Sequence, residues 1–153
     1  MTLLNVVIFL PLVAFLIILA LPKDKPETIR VFSLVASLAV FVASLGLIGP
    51  VWSGAPGKFA IETDLPWIQS PAINYHVALD GISLWLVILA TLLTPICVLV
   101  SWRSIDKHIK QFFAFLLLLE FGMVGVFCAL DFFLFFVFWE VSLVPMYLSL
   151  IHI

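Results

Sequence analysis

Charge is scarce in this chain. Of its 153 residues only 7 are basic and 9 acidic, giving a net charge of −2 and 10% charged residues, where a soluble domain carries about 25%. Without a basic excess there is no field for a phosphate backbone, which excludes a nucleic-acid binder. Cysteine is almost absent as well: Cys97 and Cys128 both fall inside apolar runs, with no CxxC or Cys/His spacing. A disulfide framework or zinc centre is therefore not indicated, and both thiols are expected free, packed as small hydrophobes. No Gly-rich phosphate loop occurs either. What fills the chain is apolar: 65% hydrophobic residues, 15 Phe, 5 Trp and a mean hydropathy of +1.31. That composition excludes a soluble globular enzyme and a disordered tail, and makes a bilayer the natural solvent.

The apolar residues fall into five runs, each near the about 20 residues that cross a bilayer. They cover residues 3–21, 31–51, 82–101, 112–130 and 132–151. The expected fold class is therefore an all-α integral membrane protein of about five transmembrane helices in a single transmembrane domain, 1–153. The first run is no secretory signal, because no basic residue precedes it and the cluster Lys23-Asp24-Lys25 follows it. The one long polar connection, 52–80, contains Gly54, Pro56, Gly57, Pro66 and Pro71, the residues of turns and extended chain. Runs four and five are separated by little more than Asp131, so they should form a tight antiparallel hairpin. Basic residues alternate between connections: Lys23, Lys25 and Arg30 after the first run, Lys58 alone after the second, Arg103, Lys107 and Lys110 after the third, none after the fourth. By the positive-inside rule the N-terminus, the 52–80 segment and Asp131 face outside, and both basic loops face the cytoplasm.

Two carboxylates break the apolar rule, Glu120 in the fourth run and Glu140 in the fifth. A charge at mid-bilayer costs about 2.5–3.5 kcal/mol on insertion scales, so such groups persist only where they face protein or water. Each has two readings: a proton relay, or a neutral acid serving as a helix–helix hydrogen-bond donor. Glu140 has local support. Pro145 removes the amide that would bond the Val141 carbonyl. Tyr147, seven residues on, lies about −20° from Glu140 around the helix and shares its face. Glu140 is thus the first candidate and is expected to be buried against protein. Glu120 is the second, and Tyr147 a candidate water or proton contact. Pro95 likewise frees the Thr91 carbonyl beside the Thr94 hydroxyl, and Pro11 falls within the first run. Asp80, before Gly81-Ile82-Ser83, reads as an N-cap. His76 reads as a solvated loop histidine, and the stretch Phe132–Trp139 as lipid-facing and packing surface without a cofactor.

The string Asp131-Phe-Phe-Leu-Phe-Phe-Val-Phe-Trp-Glu140-Val-Ser-Leu-Val-Pro-Met-Tyr147 closely resembles the fifth helix of the antiporter-like chain M (chain 4) family of NADH-quinone oxidoreductase, respiratory complex I. Asp80-Gly81-Ile82-Ser83-Leu84, Leu93-Thr94-Pro95 and Ser101-Trp102 are similar to that family's third-helix signature, and Gly125-Val126-Phe127-Cys128-Ala129-Leu130-Asp131 to its fourth-helix exit. The resemblance implies the N-terminal third of an antiporter-like fold of about fourteen helices. It implies a proton-translocating subunit that couples NADH-to-quinone electron transfer to pumping. It also implies that the glutamate matching Glu140 pairs with a lysine on a later helix. No cofactor is expected in this chain: NADH, flavin and iron-sulfur clusters belong to other subunits, and quinone to the complex. The implied partners are the other membrane subunits of complex I, above all the paralogous antiporter-like ones, and the lipid bilayer. The implied location is the bacterial inner membrane.

The family continues past its Pro-Met-aromatic motif with a Trp-Gly segment that is absent here. Residues 149–153 are therefore expected to be non-native, and the chain alone inactive. Two other readings share the same helices: an antiporter subunit of a multisubunit cation/proton exchanger or hydrogenase-linked complex, and a structural membrane scaffold.

Overall fold

The structure, a computed structural model, describes residues 2–54, 59, 61–68 and 73–151, the side chains of 149–151 excepted. Its elements in chain order are α1 (Leu3–Ala20), α2 (Pro26–Leu45), α3 (Ile48–Ser53), β1 (Ile61–Ile68), β2 (Ile73–Leu79), α4 (Gly81–Ser101), α5 (Ile109–Cys128) and α6 (Phe132–Ile151). Among the described residues four helical stretches, with α2 and α3 counted together as Pro26–Ser53, are long and apolar enough to cross a membrane. α6 adds a further apolar helix, described with its side chains to Leu148. The molecule is an α-helical membrane protein.

Several helix ends lie outside the apolar runs, for a common reason. α2 begins at Pro26 rather than 31, with proline at its first position, where the missing amide costs nothing. Its first turn holds Glu27 and Arg30, which pair at 2.7 Å. α5 begins at Ile109 rather than 112, after His108 in the left-handed region at φ 54°. These first turns are polar because they leave the bilayer while the backbone stays helical. The second apolar run divides at Gly46–Leu47, so α3 is a separate six-residue helix.

The 52–80 connection holds more than turns. β1 and β2 pair antiparallel from Ile61–Leu79 to Ile68–Ile73, with a register irregularity between Pro66 and Ile68. Pro56, Gly57, Lys58 and Pro71 lie outside the described residues. The hairpin is tied to the α5–α6 turn, where the Leu130 amide donates to the His76 carbonyl at 2.9 Å and Val77 bridges Ala129. Val77, Ala78 and Leu79 are buried, so its second strand closes one end of the helix bundle.

Two apolar clusters hold the bundle together. One, at the hairpin end, joins Leu4, Val7 and Ile8 of α1 to Val40, Leu84, Val87, Phe121 and Val124. The other, at the basic-loop end, joins Ala14 and Ile18 to Ile29, Val98, Phe113, Ala114 and Leu117. Leu16, Val35, Val42, Leu89, Leu99, Val100 and Phe136 point outward, as the lipid-facing side of a membrane bundle requires. α6 lies against α5 where α5 has no side chains. A Cβ on Gly122 would come 2.9 Å from the Ser142 Cβ, and one on Gly125 would enter the Phe138 ring.

Candidate functional site

Between the two apolar clusters lies a polar layer. Glu120 of α5 is fully buried, and neither carboxyl oxygen has a hydrogen-bond partner among the described residues. Its position follows from helix geometry. Gly122 and Gly125 carry the α6 contact, and Glu120, 200° from Gly122 around the helix, faces the interior instead. Thr94 of α4 stands beside it, but the Thr94 hydroxyl donates to the Ala90 carbonyl at 3.2 Å. One turn away the Thr91 hydroxyl lies 2.9 Å from Val87 O and 2.9 Å from the Ser44 hydroxyl of α2. Ser44 in turn reaches the Phe41 carbonyl at 2.7 Å. Pro11, Pro95 and Pro145 all sit inside continuous helices and all are buried. Pro95 deprives the Thr91 carbonyl of its helical amide, and Thr91 itself is fully buried.

Reading by apolar runs singled out Thr91, Thr94 and Glu120 but not the serines of α2. Ser33, Ser37 and Ser44 are buried on one face, and their spacing keeps them within about 40° of one another. That spacing was the available signal; hydroxyls that bond back to their own helix escape notice in a hydropathy scan.

Glu140 lies elsewhere. The expectation that it is buried against protein is not met: it is exposed, as are Phe133, Phe136, Leu143, Val144 and Tyr147 on the same face of α6. The reason is that Leu134, Phe138, Ser142 and Pro145 form the side turned to α5, and Glu140 is on the opposite side. Among the described residues the Glu140 carboxylate has no hydrogen bond or ion pair, and the two carboxylates do not share a compartment. Tyr147, 65% exposed, stays on the Glu140 face as expected. The aromatic stretch divides accordingly, with Phe138 packed edge-on against Phe121 at 5.3 Å and Phe132 and Phe136 outward.

The ends of the bundle are pinned by polar contacts. Asp80 is the N-cap of α4, accepting from the Ser83 amide at 2.6 Å, and that bond holds its carboxyl below the usual range. The Tyr75 hydroxyl donates to Asn5 Oδ1 of α1 at 3.0 Å. Burial first, and Cys128 nearby second, push this phenol up to about 12. His76 is not a solvated loop residue but a strand residue 2.6 Å from Glu62. At the other end the Lys110 ammonium donates to the Leu19 and Leu21 carbonyls, and Arg30 to the Ile105 carbonyl. Both basic loops thus occupy one end of the bundle, with the hairpin and the α5–α6 turn at the other. Both cysteines are free, Cys128 buried and Cys97 exposed. Among the described residues no group of His, Cys, Asp and Glu is arranged to hold a metal ion.

No family model matches the chain. Individual relatives do. It is 38% identical over 141 residues to NADH-ubiquinone oxidoreductase chain 4 of Arabidopsis thaliana, covering 92% of this chain and 28% of that protein. It is 49% identical over 95 residues to NADH-quinone oxidoreductase subunit M of Escherichia coli (strain K12), covering 62% and 18%. It is 33% identical over 145 residues to NAD(P)H-quinone oxidoreductase chain 4 2 of Microcystis aeruginosa, covering 95% and 26%. The matched stretches span only 18% to 28% of the length of these relatives. With these likenesses extending over most of its residues, the chain belongs to the chain 4/subunit M family of NADH-quinone oxidoreductases.

Proposed function

We propose that this chain forms part of a proton-translocating membrane subunit of NADH-quinone oxidoreductase, in which electron transfer from NADH to quinone drives proton transfer through the membrane arm. The observation that carries the reading is Glu140, a carboxylate that has no partner among the described residues and lies on the outer, apolar face of α6. A charge there cannot face lipid without a cost of about 2.5–3.5 kcal/mol. The Glu140 face must therefore meet protein or water in the assembled subunit, and the resemblance supplies the partner: a lysine from a later helix of the family's fold. Moving one proton against 100 mV costs about 2.3 kcal/mol. The approach and withdrawal of a cation beside a carboxylate in a low-dielectric site changes its hold on a proton by at least that much. Tyr147, on the same face, is placed to contact water or the proton in transit.

Activity then belongs to the assembled complex, with NADH, flavin and iron-sulfur clusters carried by other subunits. The other membrane subunits, chiefly the paralogous antiporter-like ones, are the partners. The location is the bacterial inner membrane with the N-terminus outside, supported by the gathering of Lys23, Lys25, Arg30, Arg103, Lys107 and Lys110 at one end of the bundle. The test is Glu140→Gln in the complete subunit, which keeps shape and hydrogen bonding but cannot exchange a proton. NADH-driven proton uptake into membrane vesicles, normalised to assembled complex, should be largely abolished, with Glu120→Gln less affected. Wild-type pumping by Glu140→Gln would remove the relay assignment.

A further inference from the structure

Glu120 presents a separate problem. A fully buried carboxyl group with both oxygens unbonded is costly, and native proteins answer it with a partner or an ordered water. Buried hydroxyls stand on α4 at Thr91 and Thr94 and on α2 at Ser33, Ser37 and Ser44. Toward the hairpin end α5 continues with Phe121 and Val124, toward the basic loops with Leu117 and Phe113. In between, three acceptors or donors are not fully used. The Thr91 carbonyl has no helical amide because residue 95 is proline. The Thr94 hydroxyl donates its proton to the Ala90 carbonyl, and its oxygen retains lone pairs. Ser44 and Thr91 are 2.9 Å apart, and each also reaches a backbone carbonyl of its own helix, so their two protons have alternative acceptors. Such a pair can reverse its hydrogen-bond direction without moving a heavy atom.

We propose that an internal water is held between the Glu120 carboxyl, the Thr94 hydroxyl and the freed Thr91 carbonyl. Glu120 is then a second proton-loading site, reached through the hydroxyls of α4 and α2 and not through Glu140. On loading, a water-borne proton arrives along Ser44 and Thr91, an O–H bond forms on a Glu120 carboxylate oxygen, and neutral water is left. On unloading that O–H bond breaks and the proton passes back to the same water, leaving the carboxylate. Nothing is oxidised or reduced. This deepens the proton-translocating reading and rests on it, but Glu140 plays no part: it stands on the outer face of α6, while Glu120 faces the α2–α4 interior.

The test uses infrared spectroscopy of the complete subunit in its assembled complex, without turnover. A carbonyl-stretch band of a protonated buried carboxyl group should vanish in Glu120→Gln and persist in Glu140→Gln. Transfer into D2O should shift it. Thr91→Val with Thr94→Val keeps the helix shape but removes both hydroxyls, and should slow that isotope exchange by about two- to tenfold, the factor expected of one hydrogen bond lost from the path. A conservative Thr91→Ser with Thr94→Ser pair should restore the rate. The proposal is overturned if no band depends on Glu120, or if the valine pair exchanges as fast as wild type. It is overturned equally if Glu140→Gln slows the exchange to the same degree. Failure of the Glu140 assignment shows instead in the pumping assay and leaves this band untouched, so the two outcomes are told apart.

Discussion

The crossing of α5 and α6 depends on two missing side chains, and adding one back should separate the helices. Gly125→Ala would place a methyl group inside the Phe138 ring, which is only 4% exposed and lies edge-on to Phe121 at an interplanar angle of 71°. Overpacking of this kind costs about 1–3 kcal/mol, while alanine returns about 0.8–1.0 kcal/mol of helix propensity over glycine. The net loss is then between nothing and about 2 kcal/mol. Gly122→Ala should be worse, because the new methyl group would meet the Ser142 Cβ at 2.9 Å and its Cα and N at 3.0 Å, and backbone cannot rotate away. Gly49→Ala is the control, since nothing lies within 4 Å of the added carbon. It should leave stability unchanged or raise it by up to about 1 kcal/mol. The assay is unfolding of the purified complete subunit in mixed SDS micelles, followed by far-ultraviolet circular dichroism. Adding Phe138→Leu to Gly125→Ala should give a loss smaller than the sum of the single losses, because both act on one contact. If Gly125→Ala raised stability, or the pair were strictly additive, close packing at this crossing would not be what fixes α6.

Asp80→Ala should cost about 1 kcal/mol by opening the cap of α4, and Asp80→Asn much less. Because the folded carboxyl lies below the ordinary value, its contribution is fully present above that value and fades as pH falls through the lowered one. A flat acid-side melting profile in wild type, identical to that of Asp80→Asn, would contradict this. Tyr75→Phe should cost about 1 kcal/mol by removing the bond to Asn5. With the folded phenol at about 12, the unfolded chain loses its proton first, near pH 10. Stability should therefore decline from there upward in wild type and not in Tyr75→Phe, as read by alkaline unfolding midpoints. In a Cys97- and Cys128-free background, a cysteine at position 64 should react with an impermeant reagent in intact cells and one at 107 should not. Equal labelling would refute the orientation.

Some of this protein was determined by sequence alone, because the bilayer leaves few choices. A run of about 20 apolar residues with its backbone bonds closed internally must be a helix, and so the helices are legible in hydropathy. The Asp80 cap is legible too, since its partner is three residues away. The hairpin was not, because β1 and β2 pair through backbone groups in a segment whose Pro and Gly residues mark turns and extended chain but not which stretches pair. The first turns of α2 and α5 were missed because hydropathy stops at the interface while helical hydrogen bonding does not. For the two carboxylates the sequence supplied their existence and their cost, but it ranked them by near neighbours such as Pro145 and Tyr147. Which one is enclosed depends on which face of each helix meets another helix. That was decided by Gly122 and Gly125 turning one side of α5 to α6, and by Leu134, Phe138 and Pro145 turning one side of α6 to α5. Glu120 was thereby directed to Thr94 and Glu140 to the outside, because burial is a relation between helices and periodicity describes only one at a time.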